Sequence, residues 1–349
     1  MIIKIISLIL SVLIFSGCSF YPVEEKTEPV NGIWLSYHDL AVPLKCEDEK
    51  NFKTQIEKMF ENCKSIGVNT LFVHLRPFGD SIYPSKLFPK SKYVKGEYDP
   101  LDIMEKVAKE KDLSLHGWIN PMRCMTVEEI NSVADNYAVK RWYDEKSDCV
   151  FEQDGRIYLN PEKEEVRRLI NSGVYEILEN YEIDGIHIDD YFYPANLPFE
   201  KDNSNALKRR ENTDKMVKEL YEVTKEKGSV FSISPTGNMD YNYSVIYSDS
   251  KKWCSQSGYC DYIIPQIYYG FENEALSFEK ALENWCSVSE VKVLVGLAAY
   301  KVGQFDKYAG KGQNEWIKDK DILKKQTEKV KEYPNVCGVV YFRYGSFFE

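Results

Sequence analysis

The amino-acid sequence predicts an α/β fold, a (β/α)8 TIM barrel with long loops after strands three and five and a reduced final helix. Three observations predict it. Eight short apolar runs, rich in β-branched and aromatic residues, recur along the chain. Segments of helical periodicity lie between most of them. Polar residues within the runs fall on one parity. Alternating β and α elements argue a parallel sheet, and eight strands in about 320 residues fit a closed barrel. A doubly wound open sheet is the competing arrangement. It is disfavoured because no Gly-rich phosphate loop follows the first strand.

The predicted strands are Gly32–Tyr37, Val68–Leu75, Leu113–Ile119, Gly185–Tyr191, Val230–Pro235, Tyr262–Tyr268, Lys292–Ala299 and Gly338–Phe342. Phe52, Ile56, Met59, Phe60, Cys63 and Ile66 share one helical face. Leu101, Met104 and Ala108 share another, opened by Asp99-Pro100 as cap and first-turn proline. A third helical pattern runs from Val166 to Tyr181 after Asn160-Pro161. Others cover Met216 to Tyr221, Phe278 to Trp285 and Ile322 to Val330. Two connections are long, Asn120 to Leu159 and Thr236 to Cys260. Loops of that length at strand C-termini are usually functional. The sequence ends a few residues after the eighth strand, so the last helix is expected to shrink to a turn.

Composition narrows the function classes. The 349 residues are 43% hydrophobic, 14% aromatic and 29% charged, which excludes a disordered, collagenous or coiled-coil chain. The net charge of −10 argues against nucleic acid as a partner, because phosphate binding needs a basic face. Residues 1–17 read as a signal peptide. Lys4 precedes an apolar run from Ile5 to Phe15 that is too short to span a bilayer. The run ends in Phe15-Ser16-Gly17-Cys18, which resembles a bacterial lipoprotein cleavage box with Cys18 as the lipidated residue. Residues 18–30 then form a tether, and 31–349 the barrel domain. The expected location is extracytoplasmic, with a lipid anchor in the cell membrane. The eight further Cys permit disulfides in an exported chain, with Cys124/Cys149 and Cys254/Cys260 the nearest loop pairs. No C-x-x-C spacing suggests zinc.

Side chains alternate along a strand, so one parity faces the barrel interior. That parity is expected to carry His74 and Arg76, then His116, Trp118 and Asn120, then His187, Asp189 and Tyr191. It continues with Ser232 and Ser234, Gln266 and Tyr268, and Tyr341 and Arg343. The other parity is apolar: Leu71, Val73, Leu115, Ile186, Ile188, Ile233 and Val340. Charges are costly to bury unpaired against the surrounding helices. The polar parity therefore forms a ring at the C-terminal mouth, where barrel enzymes keep their chemistry.

The densest motif is Asp184-Gly185-Ile186-His187-Ile188-Asp189-Asp190-Tyr191-Phe192-Tyr193-Pro194. Two adjacent carboxylates end a buried strand. A structural reading pairs them with Arg76 or Arg343. The chemical reading is glycoside cleavage, which needs carboxyl groups to protonate the leaving oxygen and to stabilise positive charge at the anomeric carbon. The motif resembles that of glycoside-hydrolase-like family 10, a bacterial group of exported barrel proteins. Matching pieces include Gly32-Ile33-Trp34-Leu35, Leu75-Arg76-Pro77-Phe78-Gly79-Asp80, Tyr83-Pro84-Ser85 and Trp118-Ile119-Asn120-Pro121 with Arg123. Others are Ser234-Pro235, Pro265-Gln266-Ile267-Tyr268, Gly296-Leu297-Ala298-Ala299-Tyr300 and Gly338-Val339. The resemblance implies action on bacterial cell-wall glycan, with that polysaccharide as partner. The strand also resembles the signature of family-18 chitinases, whose inward positions are Asp, Asp and Glu. Here they are His187, Asp189 and Tyr191, so that mechanism does not transfer whole.

The expected catalytic set is Asp189, Asp190 and a remote Asp80, with Asp240 and Glu272 as weaker candidates for the remote carboxylate. One carboxyl of the pair acts as general acid, its pKa raised by its neighbour. The other stabilises the oxocarbenium-like state or orients an N-acetyl group. Arg76 and Arg123 are expected to hold a substrate carboxylate. Trp118, Tyr193, Tyr268 and Tyr300 offer rings to sugars, and Asn120, His187, Tyr191, Gln266 and Arg343 complete the substrate-binding set. No cofactor is expected. A metal hydrolase is the rival enzyme class, weakened because His38, His74, His116 and His187 form no H-x-H or H-E-x-x-H pair. A non-catalytic glycan-binding barrel is the rival outside enzymes.

Overall fold

Eight parallel strands close into a barrel in the computed structural model of the chain, which describes residues 28–194 and 203–348. They are β1 (Val30–Leu35), β2 (Thr70–Arg76), β3 (Ser114–Ile119), β4 (Gly185–Ile188), β5 (Val230–Ile233), β6 (Tyr262–Ile263), β7 (Lys292–Ala298) and β8 (Val336–Phe342). Each pairs with its sequence neighbours, and β8 closes on β1 through Val30–Ile33 against Gly338–Tyr341. The expected (β/α)8 architecture is therefore present. Cys18, the signal peptide of residues 1–17 and most of the tether lie outside the described residues.

The helices form where the apolar spacing places them. Glu49–Ser65 buries Phe52, Ile56, Met59, Phe60 and Cys63. Pro100–Glu110 starts at Asp99, whose carboxylate accepts the N–H groups of Leu101 (3.0 Å) and Asp102 (3.2 Å). The helix predicted from Asn160-Pro161 instead runs Glu164–Asn180, and Asn160 accepts the Glu162 N–H in the turn before it. The last helix, Gly345–Phe348, is the expected single turn.

The long connections carry structure of their own. After β3 the chain builds a three-stranded antiparallel sheet from Arg123–Thr126, Val150–Gln153 and Arg156–Leu159, with Arg156–Leu159 in the centre. After β5 come the short helices Met239–Ser244 and Ser250–Ser255. A third long connection, residues 77–99 after β2, was not singled out from the sequence. It lacks a strong apolar period, yet Ile82, Tyr83, Phe88 and Val94 bury in it. All eight cysteines of the described residues are free thiols.

Two layers of core fill the barrel. Outside, Ile33, Leu35, Leu71, Val73, Leu75, Leu115, Ile186, Ile188 and Ile233 pack under the helices. Inside, Trp34, Phe72, Trp118, Ile264, Leu294 and Val340 pack together. The parity expected for β8 is thus reversed. Val340 points inward, while Tyr341 points out and shares a hydrogen bond with Thr327 on the helix Ile322–Val330 (3.2 Å). A tyrosine satisfies its hydroxyl at an outer interface as readily as at a mouth, so its polarity misleads.

Asp39, just after β1, fastens the closing seam. Its carboxylate pairs with Arg343, just after β8, and accepts the N–H groups of Gly345 (2.8 Å) and Ser36 (2.8 Å). The Asp39 side chain is fully buried. Replacing Asp39 with Ala removes the carboxylate from the guanidinium and strands two backbone donors, a loss of about 3 kcal/mol. Arg343→Met leaves the donors on Asp39 and is expected to cost less. Urea unfolding of both variants checks that order.

Candidate active site

The motif of β4 delivers its acids to the C-terminal mouth. His187 faces inward and is wholly buried. Its Nε2 accepts the Trp34 indole N–H (3.0 Å), so its proton resides on Nδ1 and is donated to Ser232 Oγ (2.9 Å). Burial holds its pKa well below the imidazole range, so it is neutral. Two positions on, Asp189 is inward again and only 4% exposed. Asp190 follows the strand and is half-buried. Tyr191, beyond the break in alternation, is 42% exposed.

Each acid has its own polar support. Asn120, at the end of β3, donates its Nδ2 to Asp189 Oδ1. Its Oδ1 therefore accepts, and the partner at 2.6 Å is His74 Nε2, which must carry a proton. A relay thus runs His74, Asn120, Asp189 from three consecutive strands. The Trp118 ring stacks on His74 at 3.6 Å between centroids and holds the relay in plane. Asp190 Oδ1 accepts from Gln266 Nε2 (3.1 Å), which also reaches the Ser234 carbonyl (3.2 Å).

Burial raises the pKa of both carboxyls, and the charge of Asp190 pushes Asp189 further up. The Tyr191 N–H and the Arg123 charge oppose the rise at Asp189; Gln266 and Arg123 oppose it at Asp190. The Trp118 indole N–H faces Asp189 and favours its charged form, yet makes no hydrogen bond of ordinary geometry. Ser234 Oγ and His74 Nδ1 are likewise buried without partners. Buried polar groups are normally paired, so the open valences of Trp118 and Ser234 lie by the two acids, and that of His74 at the far side of the relay. Tyr268 lies near both Asp189 and Asp190, and its ring meets that of Tyr300 edge-on at 6.0 Å. Tyr300 is 45% exposed and forms the opposite rim.

Other expected site residues lie elsewhere. Arg76 does not face the mouth. The pairing of β2 with β3 slips between His74 and Arg76, so one bulged residue turns Arg76 outward with Ile119. It lies over Phe88 (4.1 Å), above Gly173 of the helix Glu164–Asn180, where a Cβ would come within 1.9 Å of its Nη1. Arg343 is tied to Asp39. His187 belongs to the barrel interior and is inaccessible to substrate. Asp80 is 7% exposed and accepts the Phe78 N–H (2.9 Å), capping its own turn. Burial raises its pKa, and Glu129 rather than the Asp189/Asp190 pair is its charged neighbour. Asp240 and Glu272 are exposed. Tyr193 is 6% exposed and packs against Phe151 and Tyr247 rather than on the mouth. His116 sits low in the barrel, its pKa pushed down to about 4 by burial, and His38 lies against Tyr37. Sequence reasoning missed Tyr37, whose ring meets His74 (5.8 Å) and Phe78 (4.8 Å). It also missed Phe342, which meets Trp34, Tyr268 and Tyr300. The signal for Phe342 was the β8 parity, once reversed.

The raised pKa of Asp189 has a sign in stability. The folded chain holds this proton more tightly than the unfolded chain. Stability is therefore lost as pH climbs from about 3.9, the unfolded value, through the raised folded value. Asn at 189 carries no charge at any pH. Asp189→Asn is expected to raise Tm by at least about 2 °C at pH 8, and the gain should vanish near pH 4. Calorimetry at the two pH values checks both halves.

Known proteins share this barrel fold. The family model described as glycosyl hydrolase-like 10 matches residues 29–318. Glycosyl hydrolase DigH of Escherichia coli K12 is 27% identical, over 92% of this chain and 84% of its own length. Glycosyl hydrolase YngK of Bacillus subtilis is 29% identical, over 77% of this chain and 58% of its own. The glycoside hydrolase domain of PgaB (BpsB) from Bordetella bronchiseptica shares the fold. It aligns with a TM-score of 0.59 at 11% identity, over 92% of this chain and 94% of that one. The chain belongs to the glycosyl hydrolase-like 10 family and is a glycosidase on a (β/α)8 barrel.

Proposed function

We propose that the protein hydrolyses N-acetylated glycan strands of the bacterial cell wall at the Asp189/Asp190 pair. The observation that carries this reading is the pair itself: two adjacent acids at the barrel mouth, both with raised pKa, with the unpartnered Trp118 indole N–H facing one and Gln266 holding the other. Two buried carboxyls whose charges oppose each other hold one proton between them. Its seat is Asp189, which is buried deeper and has the charge of Asp190 beside it. Asp190 stays the anion, favoured by Gln266 and Arg123.

Asp189 is then the general acid. Its Oδ1 is occupied by Asn120, so the proton sits on Oδ2 and passes to the leaving glycosidic oxygen. Asp190 steadies the positive charge that grows at the anomeric carbon. On an N-acetylated sugar it also takes the amide N–H, which turns the acetyl oxygen toward that carbon. The acetyl oxygen bonds there as the leaving oxygen departs with the Asp189 proton, and water then displaces it and returns a proton to Asp189. Asp80 stays on its own turn and has no part in this scheme. Tyr191 and Tyr300 supply the exposed rings of the groove.

The first test is release of new reducing ends from peptide-free peptidoglycan strands. Asp189→Asn and Asp190→Asn are each expected to lower kcat at least about 100-fold. Cleavage at the wild-type rate by either variant removes the pair from the chemistry. Arg123→Gln deletes a positive charge that lowers both carboxyl pKa values. Both limbs of the pH–rate profile should therefore move to higher pH, with a lower maximum. Unmoved limbs would detach Arg123 from the pair.

The same reading places the protein outside the cytoplasm, anchored by lipid at Cys18 and spaced from the membrane by the tether. Support comes from the apolar run and the Phe15-Ser16-Gly17-Cys18 box. Radiolabelled fatty acid should enter the wild-type protein in cells and be absent from Cys18→Ala. Equal labelling of both proteins would refute the anchor.

A further inference from the structure

Arg123, beside the acidic pair, and Arg156, on the same Phe78 ring, form no ion pair with a carboxylate of the described residues. Arg123 opens the excursion sheet after β3, and Arg156 lies on its central strand. The ladder sets Arg123 opposite Tyr158, two residues from Arg156, so all three share one face. The Arg123 Cζ is 4.8 Å from the centroid of the Phe78 ring and 4.3 Å from that of Tyr191. The Arg156 Cζ is 4.8 Å from the same Phe78 ring. Arg156 donates to the Cys124 carbonyl (2.7 Å), and the buried Nε of Arg123 donates to nothing. Among the described residues neither arginine forms an ion pair. Arg167, Arg168 and Arg343 pair with Glu219, Glu164 and Asp39. Arg76 and Arg141 also form no ion pair among the described residues, but Arg76 is buried under the helix Glu164–Asn180 and Arg141 donates to the carbonyls of Asp135 and Asn136.

Phe78 is a firm platform for both. Its N–H is held by Asp80, and Gly79, at φ +64°, lets the loop press on the sheet. A Cβ there would sit 2.7 Å from Cys124 Sγ. Cation–π contact keeps the two planar forks in place without neutralising them. The chain as a whole carries −10 and repels anions. Two guanidinium groups on one ring, neither in an ion pair among the described residues and one of them reaching the acidic pair, are therefore a local exception that matches an anionic ligand.

We infer that Arg123 and Arg156 form a receptor for a carboxylate carried by the sugar next to the scissile bond. This rests on the proposed cleavage at Asp189/Asp190 and adds what sets substrate choice there. A carboxylate accepts two parallel N–H bonds from one guanidinium, and a second guanidinium completes its charge balance. Arg123 also acts on the acidic pair, but Arg156 is not among the charges that shift Asp189 or Asp190. Arg156 is thus a specificity-determining residue whose removal is separable from catalysis.

The test compares three probes with the mature, signal-free protein. They are peptide-free strands bearing free lactyl carboxylates, the same strands as methyl esters, and esterified strands phosphorylated on a hydroxyl. The free acid should exceed the ester in kcat/KM by about 10-fold or more. Arg156→Gln should collapse that ratio toward one through KM, with the pH limbs unmoved, and Arg156→Lys should restore part of it. Equal cleavage of acid and ester by the wild type overturns the receptor while leaving the glycosidase reading intact. A higher kcat/KM for the phosphorylated ester than for the acid overturns the carboxylate assignment. If no strand is cleaved, the substrate reading fails instead. Calorimetric titration of acid and ester then judges the receptor alone, and equal affinities overturn it.

Discussion

The site depends on keeping a carboxyl at Asp189 in a place that disfavours its charge. It ends a strand buried on both faces, with Trp118 beside it and the Trp34–His187 layer beneath. A lone anion there would be costly. Two features make the position tenable. One is the donor from Asn120, itself oriented by His74. The other is that the carboxyl keeps its proton, which the neighbouring charge of Asp190 enforces. The same features suit it to give a proton away. Structural cost and chemical capacity are one electrostatic fact here.

The barrel floor follows from this. A charged imidazole under Asp189 would stabilise the anion and remove the acid. His187 is instead kept neutral by burial, accepts from Trp34, and gives its proton to Ser232 rather than upward. The three interior histidines, His74, His116 and His187, all have lowered pKa values. His74 and His187 use that neutrality for directional hydrogen bonding without charge. Neutral interior rings leave Arg123 as the cation that acts on both acids, and it approaches from the side, off the excursion sheet.

Much of the fold was legible because barrel strands are short, apolar and bounded, and because helix faces repeat at 3.6 residues. The Asp189/Asp190 pair was legible for the same reason: β4 is regular from Gly185 onward, so parity carries inward direction as far as Asp189. Parity failed where regularity failed. One bulged residue at Leu75 moved Arg76 from the mouth to a helix interface, and alternation has no memory of such a slip. In β8 the tyrosine at 341 carried the wrong sign, because its ring and hydroxyl suit an outer interface. Arg343 was visible as a charge at a strand end, but its partner Asp39 lies about 300 residues away, which no local pattern reports. Asp80 looked remote and acidic, and the hydrogen bond that turns it back on Phe78 is a matter of loop geometry.

The excursion after β3 was foreseen only as a long loop, yet it completes the mouth. A bare barrel rim offers side chains at the ends of eight strands, all roughly at one height. The three-stranded sheet raises a wall above that rim and turns one face, with Arg123, Tyr158 and Arg156, toward the loop after β2. Arg76 was expected to supply the second cation from the rim and is instead committed beneath the helix. Arg156, thirty-three residues after Arg123 in sequence, lies over the same Phe78 ring and stands in the role. Under the proposed receptor, a cation on the wall rather than on the rim would meet a substituent of the sugar rather than the bond. On that proposal binding charge is separated from reacting charge, so substrate choice could vary in the excursion while the acids of β4 stay unchanged.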